Sequence, residues 1–447
     1  MSAQQVIAVM DVGKTNKKLF LFDKDYTIVH EQSARFTETI DEDGDPCENL
    51  ESLRSSVFDS IRAVTTDKKF EVKALNFSAY GASFVYVDAK GKELTPLYNY
   101  LKPYPEELKK KFYDDYGGED AFSSRTASPV LGSLNSGMQI YRIKHERPAL
   151  FSQVKHALHL PQYLSFLVTG KAWSDITSIG SHTNLWDFEK NRYHEWVKKE
   201  GIHSILPPIG QHDEVSPVLL SGNKCMTGIG LHDSSAALIP YLMNFHEPFV
   251  LISSGTWCIS LNPFNNSPLT VDELKKDCLC YLDFKGNPVK ASRLFAGHIH
   301  DEEVKRIADH FHTPTARYKN MTFNPELITQ NNNIEISFDK RDLADFASCE
   351  SAYHQLMMDL VTQQYTSTQL VVANTKVKRI FVDGGFSKNE LYMNLLASRF
   401  PGMEVFAASI HQSTALGAAL ALHKTWNKST IPSNIISLQY YDHAKVM

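Results

Sequence analysis

An α/β protein of two similar domains is what this sequence predicts, and three observations carry that reading. The chain has 447 residues, too long for one compact core and comfortable for two. A strand, polar turn and strand open the chain, and the same unit returns near its middle. Strand-like and helix-like apolar patterns interleave in both halves.

Residues 6–10 read as a buried strand. A polar turn with one glycine follows (Asp11, Gly13, Lys14, Thr15, Asn16), then a second strand over 19–22 and another turn at 23–25. The pattern returns as a strand at 249–252, a turn of Ser253, Ser254, Gly255 and Thr256, and a strand at 258–261. Two hairpins with small polar tips, one opening each half, imply a degenerate repeat with its boundary near 244–248. A first domain over 1–244 and a second over 245–447 are expected. Between the tips, Leu50, Leu53, Val57 and Ile61 recur at helical spacing, and residues 74–77 and 84–87 read as strands around a polar loop at 78–83. Late in the chain a strand at 379–382 runs into Asp383, Gly384 and Gly385. Ser387 and Glu390 have capping-box spacing for a helix running toward Arg399, and residues 417–422 continue as a small-residue helix.

The net charge of −5 argues against a nucleic-acid partner, which selects for a basic surplus. No apolar run approaches a membrane span, and residues 6–10 are too short for a signal-peptide core. Six cysteines without a CxxC pair fit reduced thiols in a cytoplasmic protein. Zinc at Cys278 and Cys280 would need a second ligand pair at the usual spacing, which the sequence lacks.

Four segments offer chemistry. In the first tip, Gly13 allows a tight turn whose N–H groups, with the Thr15 hydroxyl, suit phosphate oxygens. Asp11 at the strand end suits a hydrated magnesium ion. A P-loop is excluded: Ala8 stands where its first glycine belongs, and a strand rather than a helix follows. An ordinary hairpin turn is the competing reading. In the second tip, Ser254, Gly255 and Thr256 offer the same donors, and two facing tips can clamp one triphosphate. Gly384 and Gly385 after a strand admit a flat ligand, or serve only as a left-handed turn. Asp233 precedes a helix-compatible stretch. It is either an N-cap or a base, since a carboxylate near a helix N-terminus is favoured as the anion and accepts a hydroxyl proton. His298, His300 and Asp301 read as a polar loop or helix start rather than a metal site, and the aromatics of 98–104 as surface loop packing.

The order of these motifs resembles the FGGY family of carbohydrate kinases over nearly the whole chain. Asp11-Val12-Gly13-Lys14-Thr15-Asn16 resembles its first phosphate loop, although Lys14 replaces a small residue and Lys17 stands where Arg is common. Ser78-Ala79-Tyr80-Gly81, with Val87, Asp88 and Gly91 beyond, resembles a sugar-contacting loop and the hairpin after it. Leu160 to Leu164, then Leu167 to Gly170 and Asp175, resemble a scaffold segment. Gly230-Leu231-His232-Asp233 resembles the segment bearing the catalytic aspartate, Ser253 to Trp257 the second phosphate loop, Asp383-Gly384-Gly385 with Ser387 and Asn389 the adenosine loop, and Ser413 to Ala419 the closing helix. Within the family, His232 beside Asp233 and the lack of a Gly-Gln-x-His-Gly loop near Gly81 resemble the rhamnulose and fuculose kinases.

The resemblance implies the actin-like ATPase (ribonuclease H-like) fold with an interdomain cleft. It implies ATP and Mg2+ acting on a ketose such as L-rhamnulose or L-fuculose at its 1-hydroxyl, with a pentulose or a non-catalytic sugar sensor as the alternatives. Asp233 would be the base, and Tyr80, Gly81 and His232 would join it around the sugar. Gly13, Lys14, Thr15, Asn16, Lys17, Ser254, Gly255 and Thr256 would hold phosphates, Gly384, Gly385 and Asn389 adenosine, and Asp11 the metal through water. A small sugar and ATP are the expected partners, with no nucleic acid and no membrane; a homodimer is allowed.

Overall fold

Strict alternation of buried side chains along the first strand sets the architecture. A computed structural model describes residues 3–14, 17–34, 37–328 and 337–442. Thr15 and Asn16 lie outside the described residues. Strand β1 (Gln4–Val12) sends Val6, Ala8 and Met10 to one face, against Leu53, Val57 and Ile61 of helix α1 (Leu50–Thr66) and Tyr163 and Leu164 of helix α2 (Leu160–Thr169). Its other face sends Ile7 and Val9 into a second cluster.

Beside β1 run the antiparallel β2 (Lys17–Phe22) and β3 (Ile28–Ser33) on one side, and the parallel β4 (Phe70–Ala79) on the other. With β5 (Val215–Leu220), β6 (Asn223–Gly228) and the short β7 (Leu231–His232), they make a seven-stranded sheet in the order β5-β6-β4-β1-β2-β3, β7 pairing with β4.

The second half repeats this plan. Strands β8 (Phe249–Ser254), β9 (Cys258–Asn262), β10 (Cys278–Leu282), β11 (Pro288–Leu294), β12 (Arg379–Gly384), β13 (Glu404–Ser409) and β14 (Ser437–Tyr441) form a sheet in the order β10-β11-β9-β8-β12-β13-β14. As β1 does with β2 and β4, β8 pairs antiparallel with β9 and parallel with β12. The α/β expectation holds, and the two polar tips lie at equivalent ends of two equivalent sheets.

Helix α3 (Asp233–Asn244) lies between the sheets. Its Ala236 and Ile239 join the cluster of Ile7 and Phe20, while its Leu238 and Tyr241 join Phe249, Leu251 and Phe381. Helix α7 (Ser413–Ala421) crosses it so closely that a Cβ on Gly417 would stand 1.8 Å from the Ala236 carbonyl oxygen. Asn76 of β4 reinforces the joint by donating to the Ala418 carbonyl at 2.8 Å. Helix α4 (Ala296–His310), the long α5 (Cys349–Val372) and α6 (Glu390–Arg399) cover the far face of the second sheet.

Several local expectations need correction. Asn389, not Ser387, caps α6, accepting from the Tyr392 N–H at 3.0 Å; Ser387 sits in a 3-10 turn and donates to the Gly384 carbonyl at 2.9 Å. The helix expected at 417–422 begins at Ser413. Asp11 stands inside β1 rather than in the turn, because strand pairing with Lys18 and Ser78 continues past it. The aromatics of 98–104 pack inward: Tyr98 is buried and donates to Glu42, Tyr104 donates to the Met138 carbonyl at 3.1 Å, and Lys102 pins the loop with bonds of 2.5 Å to Asp41 and 2.8 Å to Asp43. His298 lies in the first turn of α4, a helix start as one of the two expected readings has it, and His300 at the start of the next, facing the Tyr353 hydroxyl at 3.2 Å. All six cysteines are free and buried, and burial pushes the Cys278 and Cys280 thiols up to about 12.

Candidate active site

The first tip carries Asp11 at the end of β1. The Thr414 hydroxyl at the start of α7 donates to its carboxylate at 2.6 Å. Burial raises the Asp11 pKa to about 6; the Thr414 bond opposes the rise and the charge of Asp233 adds to it. A cation between the two carboxylates would relieve both desolvation and repulsion, so the donor set fits a hydrated divalent ion. Lys14 and Lys17 turn toward the buried Glu48, at 3.3 Å and 3.2 Å. Lys18, one residue on, is the partner of Asp11 across the hairpin and lowers its pKa. The alternation of a strand separates these neighbouring lysines onto opposite faces.

The second tip is a built turn. Gly255 donates to the Trp257 carbonyl at 2.9 Å, and a Cβ on Gly297 would collide with the Gly255 oxygen at 1.9 Å. Ser254 has its hydroxyl committed: it donates to the Asp383 carbonyl at 2.5 Å and accepts from the Phe386 N–H at 3.0 Å. Gly384 adopts φ +90°, and a Cβ there would meet the Ser254 oxygen at 1.9 Å, so this glycine joins the two loops. Gly255, Thr256, Gly385 and Asn389 line a cleft of about 670 Å3 together with His300, Tyr318, Lys388 and Glu390. That volume is of the size that admits a nucleotide.

At the head of α3, Asp233 is the first helical residue rather than the cap, which is His232. Its carboxylate is 28% exposed and accepts from the Ser234 N–H at 2.6 Å, leaving acceptor capacity toward the cleft. The buried His232 brings Nε2 to 3.4 Å from Asp233 and 3.2 Å from the Ser181 hydroxyl. Its backbone N–H donates at 2.9 Å to Thr177, whose hydroxyl donates in turn to the buried Asp175. Gly81 has to be glycine here: a Cβ would stand 2.5 Å from the His232 ring. Tyr80 and Tyr100 meet edge to face at 5.6 Å, and burial, Asp233 and Glu48 together raise the Tyr100 pKa. Gly81, His232 and Asp233 are thus brought together, and the charge of Asp233 reaches Asp11.

The same order of motifs has a known owner. The N-terminal domain of the FGGY family of carbohydrate kinases matches residues 6–239, and the family's C-terminal domain matches 246–430. The chain belongs to the FGGY family. Rhamnulokinase of Mannheimia succiniciproducens is 22% identical over 267 residues, 57% of this chain and 52% of that protein. The chain spans about half the length of the curated relatives it matches. Among solved structures, a carbohydrate kinase from Novosphingobium aromaticivorans superposes with TM-score 0.78 at 20% identity, covering 98% of this chain and 94% of that one. Xylulose kinase from Rhodospirillum rubrum superposes with TM-score 0.81 at 13% identity, covering 98% and 94%. These place the two halves of this FGGY chain in the actin-like ATPase fold.

Residues that the motifs did not reveal are Glu48, Lys18 and Tyr100; Thr414 lies in the closing-helix motif, but its bond to Asp11 is seen only in the structure. Most contact the site from distant sequence. Lys18 alone carried a local signal, since strand alternation distinguishes it from Lys17.

Proposed function

We propose that this FGGY chain transfers the terminal phosphoryl group of ATP to a hydroxyl of a small sugar, with Asp233 as the general base. The observation that carries the reading is the position of Asp233. It is a partly exposed carboxylate beside His232, whose ring Gly81 makes room for, and it is electrostatically coupled to Asp11 at the opening of the first phosphate tip. Asp233 takes the proton of the sugar hydroxyl as its oxygen bonds to the terminal phosphorus, and the bond to the ADP oxygen breaks. Gly13, Lys14, Thr15, Asn16 and Lys17 on one tip, and on the other the Thr256 hydroxyl, presented by the turn that Ser254 and Gly255 build, hold the phosphates. Gly385 and Asn389 border the adenosine, and Gly384, packed on Ser254, sets the loop that carries them. Magnesium, held through water by Asp11, supplies charge neutralisation when bound. Phosphoryl transfer depends mainly on positioning and charge, which such parts provide.

The sugar is a ketose of the rhamnulose or fuculose type, phosphorylated on its 1-hydroxyl. His232 beside Asp233 supports this, as do relatives named rhamnulokinase. A pentulose is the second reading, favoured by the superposition on a chain named xylulose kinase. Sugar-dependent release of ADP separates both from a sugar sensor that does not catalyse. The test compares kcat/KM across L-rhamnulose, L-fuculose, D-xylulose, the ribuloses and glycerol, for wild type and Asp233→Asn. The variant is expected to lose ~100- to 10,000-fold in turnover with ATP binding retained. A variant keeping half of wild-type turnover refutes the role of Asp233, and a preference for a pentulose or glycerol refutes the ketohexose reading.

A further inference from the structure

Among the described residues, strand β10 has no counterpart in the first sheet, whose meander ends at β3. It adds an edge to the second sheet, and its last two residues press on the first half. The Leu282 carbonyl accepts from the Ser235 hydroxyl at 2.9 Å, two residues after Asp233. The Leu282 side chain fills the space a Cβ on Gly180 would need, at 2.4 Å. The Tyr281 ring lies nearly parallel to His232, 6.0 Å between centroids at 22°, and edge-on to His182 at 6.0 Å and 73°. His182 is held at φ +42°, with its carbonyl fixed by the Asn135 amide at 2.8 Å. Such a backbone persists in a non-glycine residue only where the surroundings impose it. The Nδ1 atoms of both His182 and His232 are buried without a partner.

We infer that Tyr281 is a specificity-determining residue of the sugar pocket, supplied by the half that does not carry the base. The inference rests on the kinase reading. An imidazole nitrogen without a partner is costly in a protein interior, and a sugar hydroxyl reaching it on closure would satisfy it. Burial keeps both rings neutral, His182 with its pKa lowered to about 3, so each presents one donor and one acceptor. Tyr281 touches both rings and therefore sets their spacing. Because it travels with the second sheet, the sugar wall is complete only when the two halves are closed on each other. Selection among sugars then depends on closure.

The test is KM for sugar against KM for ATP in two variants. Tyr281→Phe keeps the ring and the fold, whereas Tyr281→Leu removes the aromatic wall. Tyr281→Leu is expected to raise sugar KM ~10-fold or more and to change the preference between L-rhamnulose and D-xylulose, with ATP KM within about twofold. Tyr281→Phe, with an unchanged thermal midpoint, is expected to shift that preference in the same direction by less. Unchanged sugar preference in both variants, or a parallel rise in ATP KM, overturns the inference and leaves the kinase reading standing. A wild-type protein that neither binds nor phosphorylates any sugar overturns both.

Discussion

Replacing Asp11 by Asn is expected to stabilise the metal-free protein while removing its activity. Burial raises this carboxyl from 3.8 to about 6, against the opposing Thr414 bond and with the Asp233 charge adding to the rise. The folded chain therefore holds the proton more tightly than the unfolded chain. The associated stability is fully present below the unfolded pKa and is lost as pH climbs through about 6. The rise corresponds to on the order of 3 kcal/mol between protonation states, and the partial exposure of Asp11 reduces this to ~1–2 kcal/mol. Asn is neutral at every pH and still accepts the Thr414 hydroxyl. At pH 7.5 without divalent cation, Asp11→Asn should melt ~1–3 °C above wild type, and the gap should shrink at pH 5. Scanning calorimetry at both pH values measures this, with a coupled ADP assay in magnesium for activity. A variant less stable than wild type at pH 7.5, or a gap that ignores pH, refutes the desolvated carboxylate. Retained kinase activity refutes its metal role.

Thr256→Ala should weaken ATP more than ADP, because its hydroxyl is assigned to the terminal phosphate; one hydrogen bond to a charged group contributes roughly 1.5–3 kcal/mol, and equal losses in calorimetric titration would contradict the assignment. Gly417→Ala places a methyl 1.8 Å from the Ala236 oxygen, which only a shift of α7 against α3 can relieve. A cost of ~1–3 kcal/mol or more is expected, together with a fall in kcat as Asp233 moves; an unperturbed melt and turnover would mean that the crossing does not position the base.

What was legible in the sequence is what is local. The tips were readable because a strand, a small polar turn and a strand announce themselves within a dozen residues. Motif order puts Gly81 and His232 in one region, although only the structure shows that Gly81 yields room to the His232 ring. Contacts across the chain left no such signal. Thr414 reaches Asp11 from 403 residues away, and Lys14 finds Glu48 through a fold that spacing does not encode. The cap of α6 was misplaced for a different reason: Ser387 and Asn389 are both good cap residues, and the 3-10 turn between them decides. Ser254 and Gly384 have the residue types of a ligand loop, yet their close approach consumes both in joining β8 to β12.

The duplicated sheets explain why Asp233, the proposed base, stands where it does. Helix α3 is gripped from both sides, by the cluster around Ile7 and Phe20 and by that around Phe249 and Phe381. An element packed on two cores cannot follow either alone, so relative movement of the sheets acts on its ends. Its N-terminal end is Asp233, bounded by Thr177 through His232 and by β10 through Ser235. On the proposed reading, each phosphate tip would move with its own sheet. Closure would then bring both tips to Asp233, whose position is fixed jointly by the two halves. A compaction on joint binding of sugar and nucleotide, seen by small-angle scattering, is the consequence; identical apo and doubly liganded profiles would break this chain of reasoning at its first link.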